Sequence, residues 1–387
     1  MTATARELSE ADLDSWDANA VDVAGGHVLQ SRAWAEHRAQ HGWRPRYLEI
    51  AVEGTAGEPS ADSAPACRAL VLERSWPLIG GGSAYIPRGP VGTTEPWIGD
   101  GSGGAVGRAL AAAAERLAEE GVDVLAADPE VAADDVGYGD ALSSAGFRAI
   151  PEIQPSRHRM ALRLAGADEA GLFDGIAKAT RQRIRRAERD ATRVLRWDAA
   201  ASPLEGAVAA GAEEPAKDAM TRFYALLRAT GDRRGFDFAG PDEFVGWWLR
   251  ALAAGHLVYL EAWAGEGGDL LGGLVLYRHG RRLSTAHSAD VADTRRGHPG
   301  TMHLLRWRAI QLALAEGRSE MDLGGVDVAG ARRPPEPGDP TYGLYEHKHS
   351  FGAHWVALAG AQERVARPWR YRAGRLTSRL ARATGGA

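Results

Sequence analysis

The sequence predicts an α/β (α+β) protein made of two tandem mixed domains, each a sheet with helices packed on it. Three observations lead there. The chain has 387 residues, about two domains on the usual size prior. Its hydrophobic content of 44% is enough to fill two cores. A helix ending at glycine, followed by an apolar strand carrying an Asp, occurs as EEGVDVLAADP and again as AEGRSEMDLGGV. Each copy comes after several strands, so one αβ topology is used twice. The expected division is 1–165 and 166–365, with a basic tail, 366–387, available to pack on the first domain.

In chain order, VLQSRAWAEHRAQHGWRPRYLEIAV (28–52) reads as a short helix around Ala33–Ala39 and a strand over Arg46–Val52. GTAGEPSADSAPA (54–66) is small, polar and proline-containing, and reads as a hairpin loop. Residues 67–92 read as strands turning through Gly80-Gly81-Gly82. AVGRALAAAAERLAEEG (105–121) is an alanine-rich helix stopped by Gly121, and VDVLAADP is the strand after it. RHRMALRL (157–164) is a strand leading into a basic helix over about 170–196. After a loop at 201–216 come helices near 218–230 and 241–254 and strands at 257–264, 270–278 and 282–288. A helix over about 301–317, the strand EMDLGGV and the Pro-rich loop ARRPPEPGDPTYG (331–343) close the second half. GLYEHKHSFGAHWVALAG (343–360) alternates like a strand and breaks at Gly352.

Composition narrows the chemistry. A formal net charge of −5 argues against a general nucleic-acid coat but leaves room for local basic patches. The single cysteine, Cys67, permits neither a disulfide framework nor a cysteine-based zinc site, which fits a cytoplasmic setting. The N-terminal stretch lacks a signal-peptide pattern, and no run reaches the ~18–20 apolar residues of a membrane span.

GDGSGG (99–104) matches G-x-G-x-x-G and opens a helix, but Glu95-Pro96-Trp97 stands where the entering strand of a dinucleotide site belongs. It reads as a glycine loop. His347, His349 and His354 lack a completing carboxylate or a recognised spacing, so no metal and no cofactor is expected. RRGHPG (295–300) feeds a helix N-terminus and half-matches R-x-x-G-x-G, the turn by which acetyltransferase-like folds hold a pyrophosphate. The Gly pair in DLGGV (322–326) lets a ligand or another backbone approach closely, or makes a tight turn.

IAKATRQRIRRAERDATRVLR (176–196) is basic and amphipathic. Ile176, Thr180, Ile184, Ala187, Ala191 and Leu195 fall at helical spacing, while Arg181, Arg185 and Arg189 stand among the arginines of the other faces. That is either a solvated face or a contact for a polynucleotide backbone. From Arg364 onward the chain carries seven arginines and no acid, interleaved with Trp369 and Tyr371. This end reads equally as a solubilising tail or as a contact for anionic lipid or nucleic acid. On residues alone, Lys348 reads as a solvated edge lysine.

Several segments occur in an order that resembles the Fem family (FemABX-like), non-ribosomal peptidyl transferases that build peptidoglycan cross-bridges. QSRAWAEHRAQHGW (30–43) resembles its Q-S-x-W … G-W opening, and IPRGPV (86–91) its Y-x-x-R-G-P segment. The basic helix resembles its R-R-x-I-R-x-A helix, and FYALLRATGDRRGF (223–236) its F-Y-x-L-x-x-T-x-x-R-x-G-F. DLGGV followed by GLYEHKHSFG resembles its D-x-G-G … G-L-Y-x-F-K-x-x-F-G ending. The resemblance spans roughly 28–372.

It implies two acetyltransferase-like (GNAT-like) domains, here without the long helical arm some members carry. It implies transfer of an amino acid from aminoacyl-tRNA to an amine on a lipid-linked or UDP-linked peptidoglycan precursor. The family's lysine falls on Lys348, which would stabilise charge on the reacting ester, with Tyr345 and His347 beside the substrate. The family has an aromatic where His347 stands. A precursor-phosphate cation falls on Arg38, and an arginine before G-F falls on Arg233, with Arg234 as the other register. Thr93 occupies the place of the family's R-G-P-x-x-D acid. No base is obvious in the sequence: His347 or His287 could serve, and substrate-assisted proton transfer is the equal alternative. The basic helix, through Arg181, Arg185 and Arg189, would meet tRNA, and the basic C-terminus an anionic inner membrane face. Two other readings stay open: a CoA-dependent N-acyltransferase using RRGHPG, and a non-catalytic protein that binds precursor or RNA.

Overall fold

One strand–helix–strand crossover, used twice, organises the chain. The structure is a computed structural model; it describes residues 3–52, 66–92, 94–95, 102–154, 158–198, 208–209, 216–234, 239–265, 268–326, 328 and 333–383. The loop expected at 54–66 and the position of Thr93 lie outside the described residues, apart from Ala66, which begins a strand. Most of the loop expected at 201–216 and the start of the Pro-rich loop also lie outside them.

The chain divides into two units, Met1–Arg157 with Ala357–Ala387, and His158–Val356. Among the described residues the first unit has a seven-stranded sheet, in the order Ala3–Glu7, Arg44–Val52, Ala66–Ser75, Gly82–Ile86, Val122–Ala127, Gln362–Val365, Arg148–Ala149. Its neighbours are antiparallel except Gly82–Ile86 and Val122–Ala127, which run parallel and are joined through the helix Gly103–Glu119. Gly121 turns that helix into the strand at φ +101°, a left-handed conformation that glycine adopts without steric cost.

The second unit repeats the plan in an eight-stranded sheet: His354–Val356, Arg159–Arg163, Glu320–Asp322, Arg282–Asp290, Leu270–His279, Leu257–Ala264, Thr192–Asp198, Val208–Ala209. Here Arg282–Asp290 and Glu320–Asp322 run parallel and are joined through the helix Thr301–Ala315; the edge pair Thr192–Asp198 and Val208–Ala209 is also parallel. Both crossover helices pack their apolar faces on their sheets, with Leu110, Ala113 and Leu117 in one core and Leu305, Ala309 and Ile310 in the other.

The boundaries differ from 165 and 365 because pairing partners, not chain continuity, place the connecting strands. Arg159–Arg163 pairs with Glu320–Asp322 and so joins the second unit. Gln362–Val365 pairs with Val122–Ala127 and so joins the first. Residues 368–383 form a helix rather than a frayed tail.

Two further expectations are corrected. The basic segment is not one helix: Glu169–Gly175 and Lys178–Arg189 are separate helices, and Thr192–Asp198 is a strand. Ala191, at φ +53°, ends the helical path, so Leu195 lies on the sheet. The stretch after the Pro-rich loop is a helix, Tyr342–His349, not a strand. Leu344, Tyr345, Lys348 and Phe351 fall at helical spacing and face the core; the polar Lys348 hid the period.

The Q-S-x-W and R-G-P segments interlock inside the first unit. Gln30 is fully buried; its Nε2 donates to the Pro87 carbonyl (2.5 Å) and its Oε1 accepts from the Leu70 amide (2.6 Å). Ser31 caps the helix Arg32–Gln40 by accepting from the Trp34 amide. A Cβ at Gly89 would stand 2.7 Å from Gln30 Nε2. Gln30→Leu strands two buried backbone groups, so unfolding in urea should show a loss of about 2–4 kcal/mol.

Candidate functional site

The second unit brings the DLGGV and EHKH segments together. Lys348 is 4% exposed, and its Nζ donates to the carbonyls of Gly324 (2.9 Å) and Gly325 (2.8 Å). Gly324 sits at φ +81°, and a Cβ there would come within 3.0 Å of the Thr285 carbonyl and 3.4 Å of Lys348 Nζ. Asp322 fixes the turn by accepting from the Gly324 amide at 2.8 Å. Pairing of the two parallel strands ends at Ser284 and Asp322, so the lysine lies just off the C-terminal end of the shorter one. An ammonium taken out of water is tolerated where carbonyls replace its hydration.

His347, one residue earlier, enters a cluster of basic groups. Its Nε2 accepts from Arg306 Nε (2.9 Å), and its ring meets His303 edge-on at 4.5 Å and Phe351 at 5.5 Å. His303 Nε2 lies 3.3 Å from Arg183 Nη1, on the basic helix. Arg306 is 2% exposed and, among the described residues, has no carboxylate partner; burial lowers its pKa to about 10. Burial, then Arg306, lowers His347 to about 2. Burial, then Arg183 and Arg306, lowers His303 to about 4.

His347 is therefore neutral and a weak base, its lone pair already occupied. His287 is also weak, lowered by burial to about 4 and packed against Phe244 and Trp248. A general base works best with a pKa near the operating pH, so neither histidine suits that role.

The lysine helix is tied to the basic helix. The Ala177 amide donates to the Ser350 carbonyl (2.8 Å), and Thr180 Oγ1 donates to Ser350 Oγ (2.8 Å). Thr180, Ile184 and Ala187 are buried, while Arg183, Arg185, Arg186 and Arg189 are exposed. Arg185 lies over the Phe173 ring at 5.3 Å, and Arg181 donates to the Asp174 carbonyl. Tyr345 stacks on His349 at 5.6 Å and 8°. Arg233 is exposed on the last turn of the helix Ala216–Arg234, and its Nη2 donates to Thr230 Oγ1.

Arg38 belongs to the first unit. Its guanidinium lies over Trp34 (5.4 Å) and Trp43 (5.7 Å), and Arg74 also covers Trp43 (5.3 Å). An open groove of 660 Å³ beside them is lined by Trp43, Arg44, Glu73 and Arg74. Asp128 is one of the first unit's buried carboxylates: Oδ1 accepts from Tyr85 Oη (2.9 Å) and the Arg88 amide (2.8 Å), while Oδ2, 3.9 Å from Arg88 Nε, has no hydrogen-bond partner among the described residues. Burial holds its pKa above the ordinary range against the pull of Arg88. Neither Asp128 nor Arg306 nor His303 stands out in the sequence. Only the strand-end Asp in the repeated motif hints at the first.

Neither crossover helix presents a clear N-terminus for a pyrophosphate. The Gly103 amide donates to Asp135 Oδ2 (3.1 Å), an acid where phosphate would sit. A Cβ at Gly300 would stand 2.1 Å from the Arg183 carbonyl, so the basic helix is packed directly on that turn. Arg295 is held by Asp290 through two 2.6 Å bonds. Of GDGSGG, Gly99, Asp100 and Gly101 lie outside the described residues.

Residues 178–348 match the family model described as acetyltransferase (GNAT) domain. No curated protein matches the chain. The structure described as the crystal structure of FemX superposes with a TM-score of 0.69, covering 95% of this chain and 99% of that one at 17% identity. The chain shares the FemX fold. A conserved protein of unknown function from Bacteroides thetaiotaomicron also matches, with a TM-score of 0.51 over 93% of this chain and 98% of its own at 11% identity. The FemX-like fold is two tandem GNAT-like domains, and among the described residues it carries no long helical arm. Among the described residues no group of three His, Cys, Asp or Glu is placed to hold a metal, and no helix is long and apolar enough to cross a membrane.

Proposed function

We propose that this chain is an aminoacyltransferase that moves an amino acid from aminoacyl-tRNA onto an amine of a peptidoglycan precursor stem peptide. The observation that carries the reading is the buried Lys348 ammonium, held by two glycine carbonyls at a strand end and backed by the basic helix. The FemX-like fold and the ordered motifs support it. The filled helix N-termini favour it over a CoA-dependent acyltransferase.

The amine nitrogen attacks the ester carbonyl, and the oxyanion that forms is stabilised by Lys348. Collapse breaks the bond to the terminal ribose oxygen of the tRNA, which leaves with the proton the amine gives up, and an amide remains. Positioning supplies much of the rest, since the ester is already activated. Arg38, over its two tryptophans, is assigned to the precursor's phosphates. Tyr345, His347 and Arg233 are assigned to substrate contact, and Arg181, Arg185 and Arg189 to the tRNA backbone.

The deciding experiment incubates the protein with labelled aminoacyl-tRNAs and with UDP-linked and lipid-linked precursors, and looks for labelled muropeptide. Acylation from an acyl-CoA with no transfer from any tRNA would replace this reading by the CoA-dependent one. The tRNA assignment has its own check in salt. Removing one arginine that neutralises a phosphate flattens the plot of log affinity against log salt by about 0.7–0.9. Arg185→Gln with Arg189→Gln should therefore flatten it by about 1.5, measured by filter binding, and an unchanged slope removes the basic helix from the tRNA interface.

A further inference from the structure

The helix Pro368–Ala383 has two faces with different duties. Its inner face is locked onto the first unit. Arg370 Nε lies 3.3 Å, and Arg367 Nη1 3.6 Å, from Oδ1 of the fully buried Asp123. Trp76 Nε1 donates to the other oxygen of Asp123 at 2.8 Å. Arg367 Nη2 also donates to the Ala118 carbonyl (2.8 Å), and Tyr371 Oη donates to Glu363 Oε2 (3.0 Å). At Gly374 the helix backbone runs against the Trp76 ring, where a Cβ would stand 2.2 Å from Cδ2. These contacts fix the rotation of the helix about its axis.

The rotation so fixed turns Trp369, Leu376 and Leu380 to solvent, at 72%, 59% and 57% exposure. Their spacing, seven and then four residues, puts them in one stripe. Arg372 and Arg379 are exposed along one edge of that stripe, the exposed Arg375 lies further round over the Tyr371 ring (5.6 Å), and no acid follows Glu363 in the sequence. Large apolar side chains grouped on an exposed face mark a contact surface. A helix with tryptophan and leucines along one line, flanked by arginines, has the composition of one that lies in a lipid interface. There the tryptophan sits at headgroup level and the arginines meet lipid phosphates. RNA would use the arginines and the tryptophan ring, but it offers no apolar medium for two leucines.

We infer that the outward face of this helix is a peripheral docking surface for a membrane leaflet rich in anionic phospholipid. The surface is argued from the first unit alone and stands apart from the chemistry assigned to Lys348.

The test is sedimentation of the full-length protein with vesicles of phosphatidylglycerol and phosphatidylcholine, or of phosphatidylcholine alone. Wild type should sediment with the anionic vesicles at least tenfold better than with the neutral ones, and salt should weaken that binding. Leu376→Glu with Leu380→Glu should lose the vesicles by at least tenfold while the melting midpoint stays within a degree or two, since both side chains already face water. Arg372→Gln with Arg375→Gln and Arg379→Gln should lose selectivity for the anionic vesicles. Equal sedimentation of wild type and the leucine variant overturns the inference, as does failure of wild type to bind anionic vesicles. So does an RNA oligomer that binds through the arginines and displaces the protein from vesicles while the leucine variant still sediments.

Discussion

Lys348→Met should lower kcat for aminoacyl transfer by about 10²–10³, which is about 3–4 kcal/mol of transition-state stabilisation. KM and tRNA affinity should change little, because the interaction removed is one made with charge that develops during the reaction. The substitution also leaves the Gly324 and Gly325 carbonyls without this donor, at a cost of about 1–3 kcal/mol in stability. The two effects separate experimentally. Single-turnover rates are measured well below the variant's melting midpoint, with substrate binding measured in parallel. A rate within tenfold of wild type would return Lys348 to a structural role, tying the lysine helix to the glycine pair.

The second large effect is a loss of stability in acid. His303 and His347 are held far below the ordinary histidine pKa of 6.5, at about 4 and about 2, first by burial and then by the arginines around them. Unfolded, they bind protons as pH falls through 6.5; folded, they do not. The unfolded state thus takes up more protons in this window, so stability rises with pH there. Their contribution is fully present above 6.5 and is lost as pH falls from 6.5 toward 4, continuing below 4 for His347. For His303 alone the displacement, from 6.5 to about 4, corresponds to on the order of 3 kcal/mol. Urea midpoints at pH 7.5, 6 and 5 should fall steeply. His303→Phe with His347→Phe should flatten that dependence, even though Arg306 loses its hydrogen bond and the variant starts lower at pH 7.5. A double variant that keeps the full acid slope would assign it to other groups.

A cluster of cations with two neutral histidines beside the lysine has a direct bearing on the proposed reaction. Among the described residues Arg306 has no carboxylate partner, and Arg306, Lys348 and Arg183 all act to disfavour a charged His347. The field of these cations favours a developing oxyanion and opposes a general base on the same helix. On the proposed reading the incoming amine must therefore arrive neutral, or lose its proton elsewhere. In the first unit, taken by itself, the buried Asp128 is a carboxylate that burial makes harder to ionise, with Arg88 opposing that shift.

The sequence by itself determined the doubled crossover. Helix-stopping glycines before apolar strands are local signals, and Gly121 and Gly317 both take the left-handed conformation those signals require. Through their order relative to the other motifs it also marked DLGGV and EHKH as segments of a candidate site. It could not place them together, because Lys348 and Gly324 are 24 residues apart and meet only when the lysine helix packs on the sheet. The helix itself reads as a strand because its core-facing position carries a lysine in place of the apolar residue that would have completed the period. His303 and Arg306 stay hidden for the opposite reason. The helix Thr301–Ala315 is buried on nearly every side, so no polar face sets them apart in the sequence. The destinations of Arg159–Arg163 and Gln362–Val365, and the side of the C-terminal helix that meets water, depend on hydrogen-bond partners far along the chain. Only tertiary packing could decide them, because strand pairing and helix rotation are set by partners and not by local propensity.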